Sequence, residues 1–121
     1  MATKELVIYQ TEQGKEPFSD WLEDLDKTTL VRIRARLDRV EQGHYGDYKS
    51  VGAGVFELRF FFGSGYRVYF AEDGNTIVLL LHGGDKSSQG KDIPKAQGYW
   101  QDYQATKAKA KEDEKKPKED R

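Results

Sequence analysis

At 121 residues, 36% hydrophobic and 34% charged, the chain is large enough to close one apolar core, and a single domain is the expectation. It contains no cysteine, which excludes disulfides and thiolate chemistry and points to a reducing compartment; no apolar stretch approaches the ~18–20 residues of a membrane span and no signal-type core follows the N-terminus, so a cytoplasmic location away from membranes is expected. The formal net charge of -1 argues against a nonspecific nucleic-acid binder and shifts the question to how the charges are arranged.

In chain order, Glu5-Leu6-Val7-Ile8-Tyr9-Gln10 reads as a first strand. Pro17 then opens a helix whose apolar residues Phe18, Trp21, Leu22 and Leu25 recur at helical spacing. Asp26 can cap a second helix with an apolar stripe of Leu30, Ile33, Leu37 and Val40, stopped by Gly43. On that helix Arg32, Arg36 and Arg39 share one face, either as an ordinary solvated surface paired with Asp38 and Glu41 or as a ridge for phosphates. Charge is polarised along this part of the chain: residues 12–26 hold six acids against one base, and residues 27–67 hold eight bases against four acids. One positive surface could therefore face phosphates.

Residues 43–54 contain four glycines and no period, so they are expected to be a loop that delivers Tyr45, Asp47 and Lys49 beside the next strand. Residues 55–62 alternate Phe56, Leu58, Phe60 and Phe62 against Val55, Glu57, Arg59 and Phe61, the period-two pattern of a strand with one dry face. A Gly63-Ser64-Gly65 turn leads into a strand over residues 66–72, Asp73-Gly74 signals another hairpin turn, and residues 76–82 form a nearly all-apolar third strand of this meander. A glycine-rich loop over residues 83–90 precedes a last helix opened by Asp92 and Pro94, with Ala96, Tyr99, Trp100 and Tyr103 on one side. From Lys107 onward the chain is almost entirely charged, so residues 1–104 are the expected domain and residues 105–121 a frayed, disordered tail. The order is βααβββα, an α+β fold with an antiparallel sheet packed on helices.

Within the meander, a three-residue Gly63-Ser64-Gly65 loop pairs Phe62 with Tyr66, Phe61 with Arg67 and Arg59 with Tyr69. Arg59 and Arg67 then share a face with Glu57, Phe61 and Tyr69, whereas a two-residue loop would split them. Two arginines side by side repel unless they share an anion, and the planar guanidinium suits phosphate oxygens; each could instead pair with Glu57 or another acid. His82 closes the third strand and joins the arginine face if Asp73-Gly74 is a two-residue turn, or the opposite face if the turn has three residues. Lys49 and Lys86 flank the meander from its two loops.

The strings Gly46-Asp47-Tyr48-Lys49, Gly54-Val55-Phe56-Glu57-Leu58-Arg59, Gly65-Tyr66-Arg67-Val68-Tyr69-Phe70 and Leu79-Leu80-Leu81-His82-Gly83-Gly84-Asp85-Lys86, in this order, resemble the RelE/ParE toxin superfamily, in particular its HigB-like, phage-derived addiction-module branch of killer proteins. The resemblance covers residues 6–103. It implies a RelE-like fold of the microbial-RNase type, cleavage of mRNA on the ribosome with inhibition of translation, and an antitoxin partner, a HigA-like helix-turn-helix protein. It also implies charge-stabilising roles for Arg67, Arg59 and Lys86; Lys86 stands where RelE typically has a loop arginine, and Tyr99 is the candidate for a C-terminal catalytic tyrosine.

Metal-independent RNA cleavage needs a base for the 2′-hydroxyl, cations for the phosphate and an acid for the leaving oxygen. Arginine keeps its proton, so Arg59 and Arg67 can fill only the second role. His82 ranks first as proton carrier, then Glu57, then Lys49 or Lys86. Arg32, Arg36, Arg39, Lys49 and Tyr99 complete the expected RNA contacts. No cofactor is called for, because no Cys/His or carboxylate cluster has metal-ligand spacing. The leading expectation is a type II toxin acting as a ribosome-dependent mRNA endonuclease; the alternatives are a ParE-like, non-enzymatic inhibitor of DNA gyrase and an inactive interaction domain of the same fold.

Overall fold

The computed structural model describes residues 3–115. Strand β1 (Glu5–Ile8) is followed by helices α1 (Pro17–Glu23) and α2 (Lys27–Glu41), then by strands β2 (Tyr48–Gly52), β3 (Val55–Arg59), β4 (Tyr66–Asp73) and β5 (Ile77–Asp85). A 3₁₀ turn at Lys86–Ser88 leads into the long helix α3 (Gln89–Lys115). Among the described residues the strands form one sheet in the order β1-β5-β4-β3-β2, antiparallel except for the parallel β1–β5 pair. This is the expected α+β class, compatible with a RelE-like fold. No helix among the described residues is long and apolar enough to cross a membrane.

Local sequence explains the helical hairpin. Pro17 sits in the first turn of α1, and the Asp26 side chain accepts the Thr29 N–H at 3.1 Å to cap α2, an interaction worth about 1 kcal/mol. The α2 stripe of Ile33, Leu37 and Val40 is buried with Phe18 against Leu58, Phe60, Val68, Phe70, Val78 and Leu80 of the sheet. Each such aliphatic side chain contributes roughly 1.5–3 kcal/mol when fully buried.

The other face of the sheet is dry as well. Helix α3 lays Ala96 and Trp100 on Tyr9, Val55, Tyr69, Ala71, Leu79 and Leu81, so the sheet lies between two apolar layers rather than showing the one dry face predicted. The charged segment continues α3 to Lys115; the remainder of the predicted tail lies outside the described residues.

Several boundaries differ from the sequence reading, giving the order βααββββα. Residues 48–52, predicted as loop, form β2, an edge strand paired with β3 through backbone groups while most of its side chains stay exposed. The β3–β4 hairpin places Arg59, not Phe61, opposite Arg67. Its connection is closed by Phe60 N–H to the Tyr66 carbonyl and Gly65 N–H to the Phe62 carbonyl, which moves the register by two residues and so leaves the side-chain faces unchanged. Gly83 and Gly84 end β5 instead of starting a loop, and α3 begins at Gln89, ahead of Asp92 and Pro94.

The facing of His82 results from two opposed features. Asp73 pairs with Ile77, so three residues make the turn, which alone would send His82 to the α2 face. A register shift then pairs Phe70 with Leu80 and Tyr69 with His82, and the extra residue in β5 turns the imidazole back to the arginine face.

Candidate functional site

The paired strands set two adjacent rows of side chains on the α3 face. In the outer row, Arg59 lies opposite Arg67, and Arg67 opposite Gly84. In the inner row, Lys49 lies opposite Glu57, Glu57 opposite Tyr69, and Tyr69 opposite His82. Gly84 is required where it stands: a Cβ there would fall 1.9 Å from Asp92 Oδ2 and 2.7 Å from Ser88 Oγ. Its bare backbone lets the start of α3 close on the sheet between the rows' ends. On the opposite face Gly83 does the same for Trp21, whose ring would lie 2.1 Å from an added Cβ.

The outer row reaches solvent at its Arg59 end. Arg59 is partly exposed and held by Asp47, with Nε 3.2 Å and Nη2 3.4 Å from the carboxylate oxygens. Arg67 is 8% exposed, and its Nε has no hydrogen-bond partner among the described residues. Arg67 and Lys86 line a cleft of about 390 Å³ together with Phe60, Phe61, Phe62 and Ser64. Lys86 is brought there by the turn after β5, which Asp85 caps by accepting the Ser87 and Ser88 N–H groups. With Asp47 offsetting Arg59, the cleft retains the charges of Arg67 and Lys86, a setting suited to a phosphate.

The inner row is buried. Glu57 is fully enclosed; Gln89 Nε2 donates to its Oε2 at 2.6 Å, and its Oε1 has no partner among the described residues. The Tyr69 hydroxyl is equally enclosed and unpartnered, and burial, aided by the charges of Glu57 and Asp92, raises its pKa. His82 Nε2 lies 3.1 Å from Asp92 Oδ1, and Ser88 Oγ donates to the other carboxylate oxygen. Burial lowers the pKa of His82 more than Asp92 raises it, so the imidazole is neutral at pH 7. Its Nε2 then carries the proton shared with Asp92, and the buried Nδ1 is left without a partner among the described residues.

The sequence-predicted residues thus fall into separate groups. Arg59, Arg67 and Lys86 come together, with Glu57 directly behind them. His82 and Tyr99 line a different cleft, beyond the start of α3, with Lys15, Asp20, Trp21 and Asp24. Lys49 is on the same sheet face at its exposed edge. Of the predicted arginine ridge on α2, Arg36 is turned inward, its guanidinium donating to the carbonyls of Tyr45, Asp47 and Arg59 at 2.8–3.1 Å, while Arg32 stays exposed and lies 4.1 Å over the Phe62 ring. Arg39 alone of the three stays exposed without such a contact. Sequence reasoning placed Tyr69 on the arginine face without a role and left Asp92, Ser88 and Gln89 out of the site. The spacing of Ser88 and Asp92 across one helical turn was the available signal, but only the tertiary fold brings that pair to His82.

Residues 20–101 match the model of a family described as "Phage derived protein Gp49-like (DUF891)". A Haemophilus influenzae strain Rd protein, described as an uncharacterized protein, is 48% identical over 80 residues, which are 65% of this chain and 81% of that relative. The match runs from the middle of α1 into α3 and includes every strand except β1.

Proposed function

This chain belongs to the phage-derived Gp49-like family, within the RelE/ParE-like toxin superfamily, and on that premise we propose that it is the toxin of a type II toxin–antitoxin pair of the HigB-like branch, acting as a ribosome-dependent mRNA endonuclease. The observation that supports this reading most is the direct pairing of Arg59 with Arg67, which lines an open cleft together with Lys86. In the proposed reaction the 2′-oxygen attacks the adjacent phosphorus and the bond to the 5′-oxygen breaks, giving a 2′,3′-cyclic phosphate and a 5′-hydroxyl. One proton leaves the 2′-hydroxyl and one reaches the departing oxygen. Arg67 and Arg59 stabilise the phosphate charge as it grows, since neither exchanges its proton at neutral pH.

The geometry changes the ranking of proton carriers. His82 opens to the other cleft, whereas the Lys86 amine shares a cleft with Arg67, and Glu57 with Tyr69 lies one row behind. An antitoxin, expected to be a HigA-like helix-turn-helix protein, would silence this activity by covering the basic cleft. The enclosure of Glu57 and Tyr69 favours a second reading, ParE-like inhibition of DNA gyrase by binding, in which no proton carrier need meet substrate.

Primer extension on translated mRNA, run beside a gyrase supercoiling assay, separates the two readings. The endonuclease reading expects cuts with the wild-type protein, none with Arg67→Ala, and relief of growth arrest by that variant. An Arg67→Ala protein that remained fully toxic would sink it, and supercoiling inhibition without mRNA cuts would favour the second reading.

A further inference from the structure

The β3–β4 connection carries consecutive phenylalanines that meet different fates. Phe60 is buried beneath the Arg36 guanidinium, 4.9 Å from the ring centroid, and Phe62 is covered by Arg32. The two rings pack edge to face at 6.2 Å, and Phe62 leans on Tyr66 at 5.4 Å. Backbone bonds from Phe60 N–H to the Tyr66 carbonyl and from Gly65 N–H to the Phe62 carbonyl close the segment. Phe61 alone turns the other way. At 77% exposure it is the most exposed large apolar side chain among the described residues, and it lines the cleft of Arg67 and Lys86 with the Arg59 guanidinium 5.7 Å from its ring centroid.

Single exposed apolar side chains are common and by themselves mean nothing. Three features distinguish this one. Its neighbours on both sides are clamped, so the ring is presented by a fixed backbone and loses little freedom on binding. It continues the Arg59 face past the end of β3, at the mouth of a cationic cleft. A flat π-surface next to guanidinium groups is the arrangement that binds single-stranded nucleic acid: the cations track the backbone while a base stacks on the ring, independent of base identity.

We propose that Phe61 is a stacking platform for the nucleobase next to the phosphate held by Arg67 and Lys86, and that Arg32 and Arg36 are positioning residues that hold its loop. This rests on the RNA-directed reading above. It also gives the arginines of α2 a part in RNA recognition without contact to RNA.

The test uses the full chain and two probes: a 2′-O-methyl hexa-adenylate, which has no attacking hydroxyl, and an oligomer of equal length and charge lacking all bases. Binding is followed by NMR, with the amides of Arg67 and Lys86 reporting the cleft. The wild-type protein should bind the adenylate on the order of tenfold more tightly than the abasic oligomer. Phe61→Ala should bring the adenylate down to the abasic level and leave abasic binding unchanged, while Phe61→Trp should preserve the preference. Equal binding of both probes by the wild-type protein, or an unaltered preference in Phe61→Ala, overturns the platform while the phosphate site stands. No shift at Arg67, Lys86 or Phe61 at millimolar probe overturns the platform and the RNA reading together. Because Phe61 is exposed, its variants are expected to fold, and their melting temperatures check this directly.

Discussion

The two faces of the sheet are built from the same strands and have opposite contents. Toward α1 and α2, Leu58, Phe60, Val68, Phe70, Val78 and Leu80 meet a continuous apolar layer. Toward α3, one end is equally apolar, but the other carries Glu57, Arg67, Tyr69, His82 and Asp92. The enclosed polar side-chain atoms without partners among the described residues, at Glu57, Arg67, Tyr69 and His82, all lie on that second face. Buried polar groups are normally hydrogen-bonded, so their collection in one patch sets this end of the face apart. The α2 face is apolar throughout, and the polar end of the α3 face is where the proposed binding and chemistry would lie.

Paired substitutions on neighbouring positions test this division. Leu58→Ala, on the apolar face, should lower unfolding stability by about 2–5 kcal/mol in urea titrations and leave the folded fraction as active as before. Arg67→Ala, one strand over on the other face, should cut the proposed RNA cleavage rate by roughly 10²–10³, equivalent to about 2.7–4 kcal/mol, with little change in the urea midpoint. If Arg67→Ala loses as much stability as Leu58→Ala, the polar end is structural and the division fails. Gly84→Ala comes next in size: its Cβ would run into Asp92 and Ser88, lifting the start of α3 at a cost of about 1–3 kcal/mol. Amide exchange should quicken in the first turns of α3 and not in α2.

How much of this was legible in the sequence follows from what each feature depends on. The alternation of Phe56, Leu58 and Phe60 against Glu57 and Arg59 is local, and it read correctly as two distinct faces, although the second proved buried at Val55 and Glu57 as well. The register that sets Arg59 against Arg67 was missed because it depends on the connection over residues 60–65, which Arg32 and Arg36 fix from a helix more than twenty residues away in the chain. Strand β2 was missed because backbone pairing with β3, not an apolar face, makes it a strand. At the site, Arg59 and Arg67 stood out as two guanidinium groups on one face of the meander, whereas Lys86 entered only through the family resemblance. The inward use of Arg36 did not, since its carbonyl partners lie in segments without a period. His82 was the hardest case: its facing needed the three-residue turn and the compensating shift in β5 together.

That same histidine supplies the smallest and most specific test of the division. Burial holds its folded pKa below the ordinary value of 6.5, with Asp92 opposing only in part. The unfolded chain therefore takes up the proton first as pH falls, and stability is full above about 6.5 and declines from there down to the folded pKa. The slope cannot exceed about 1.4 kcal/mol per pH unit for one group. The depressed carboxylates of Asp26, Asp73 and Asp85 act only lower, around and below 3.8, so of these four groups only the imidazole acts between pH 7.5 and 5.5. Urea midpoints of the wild-type protein should fall across that interval, and those of His82→Gln, which cannot titrate, should stay flat. A wild-type slope retained in His82→Gln would mean that the polar end of the α3 face is not where the protein resists protonation.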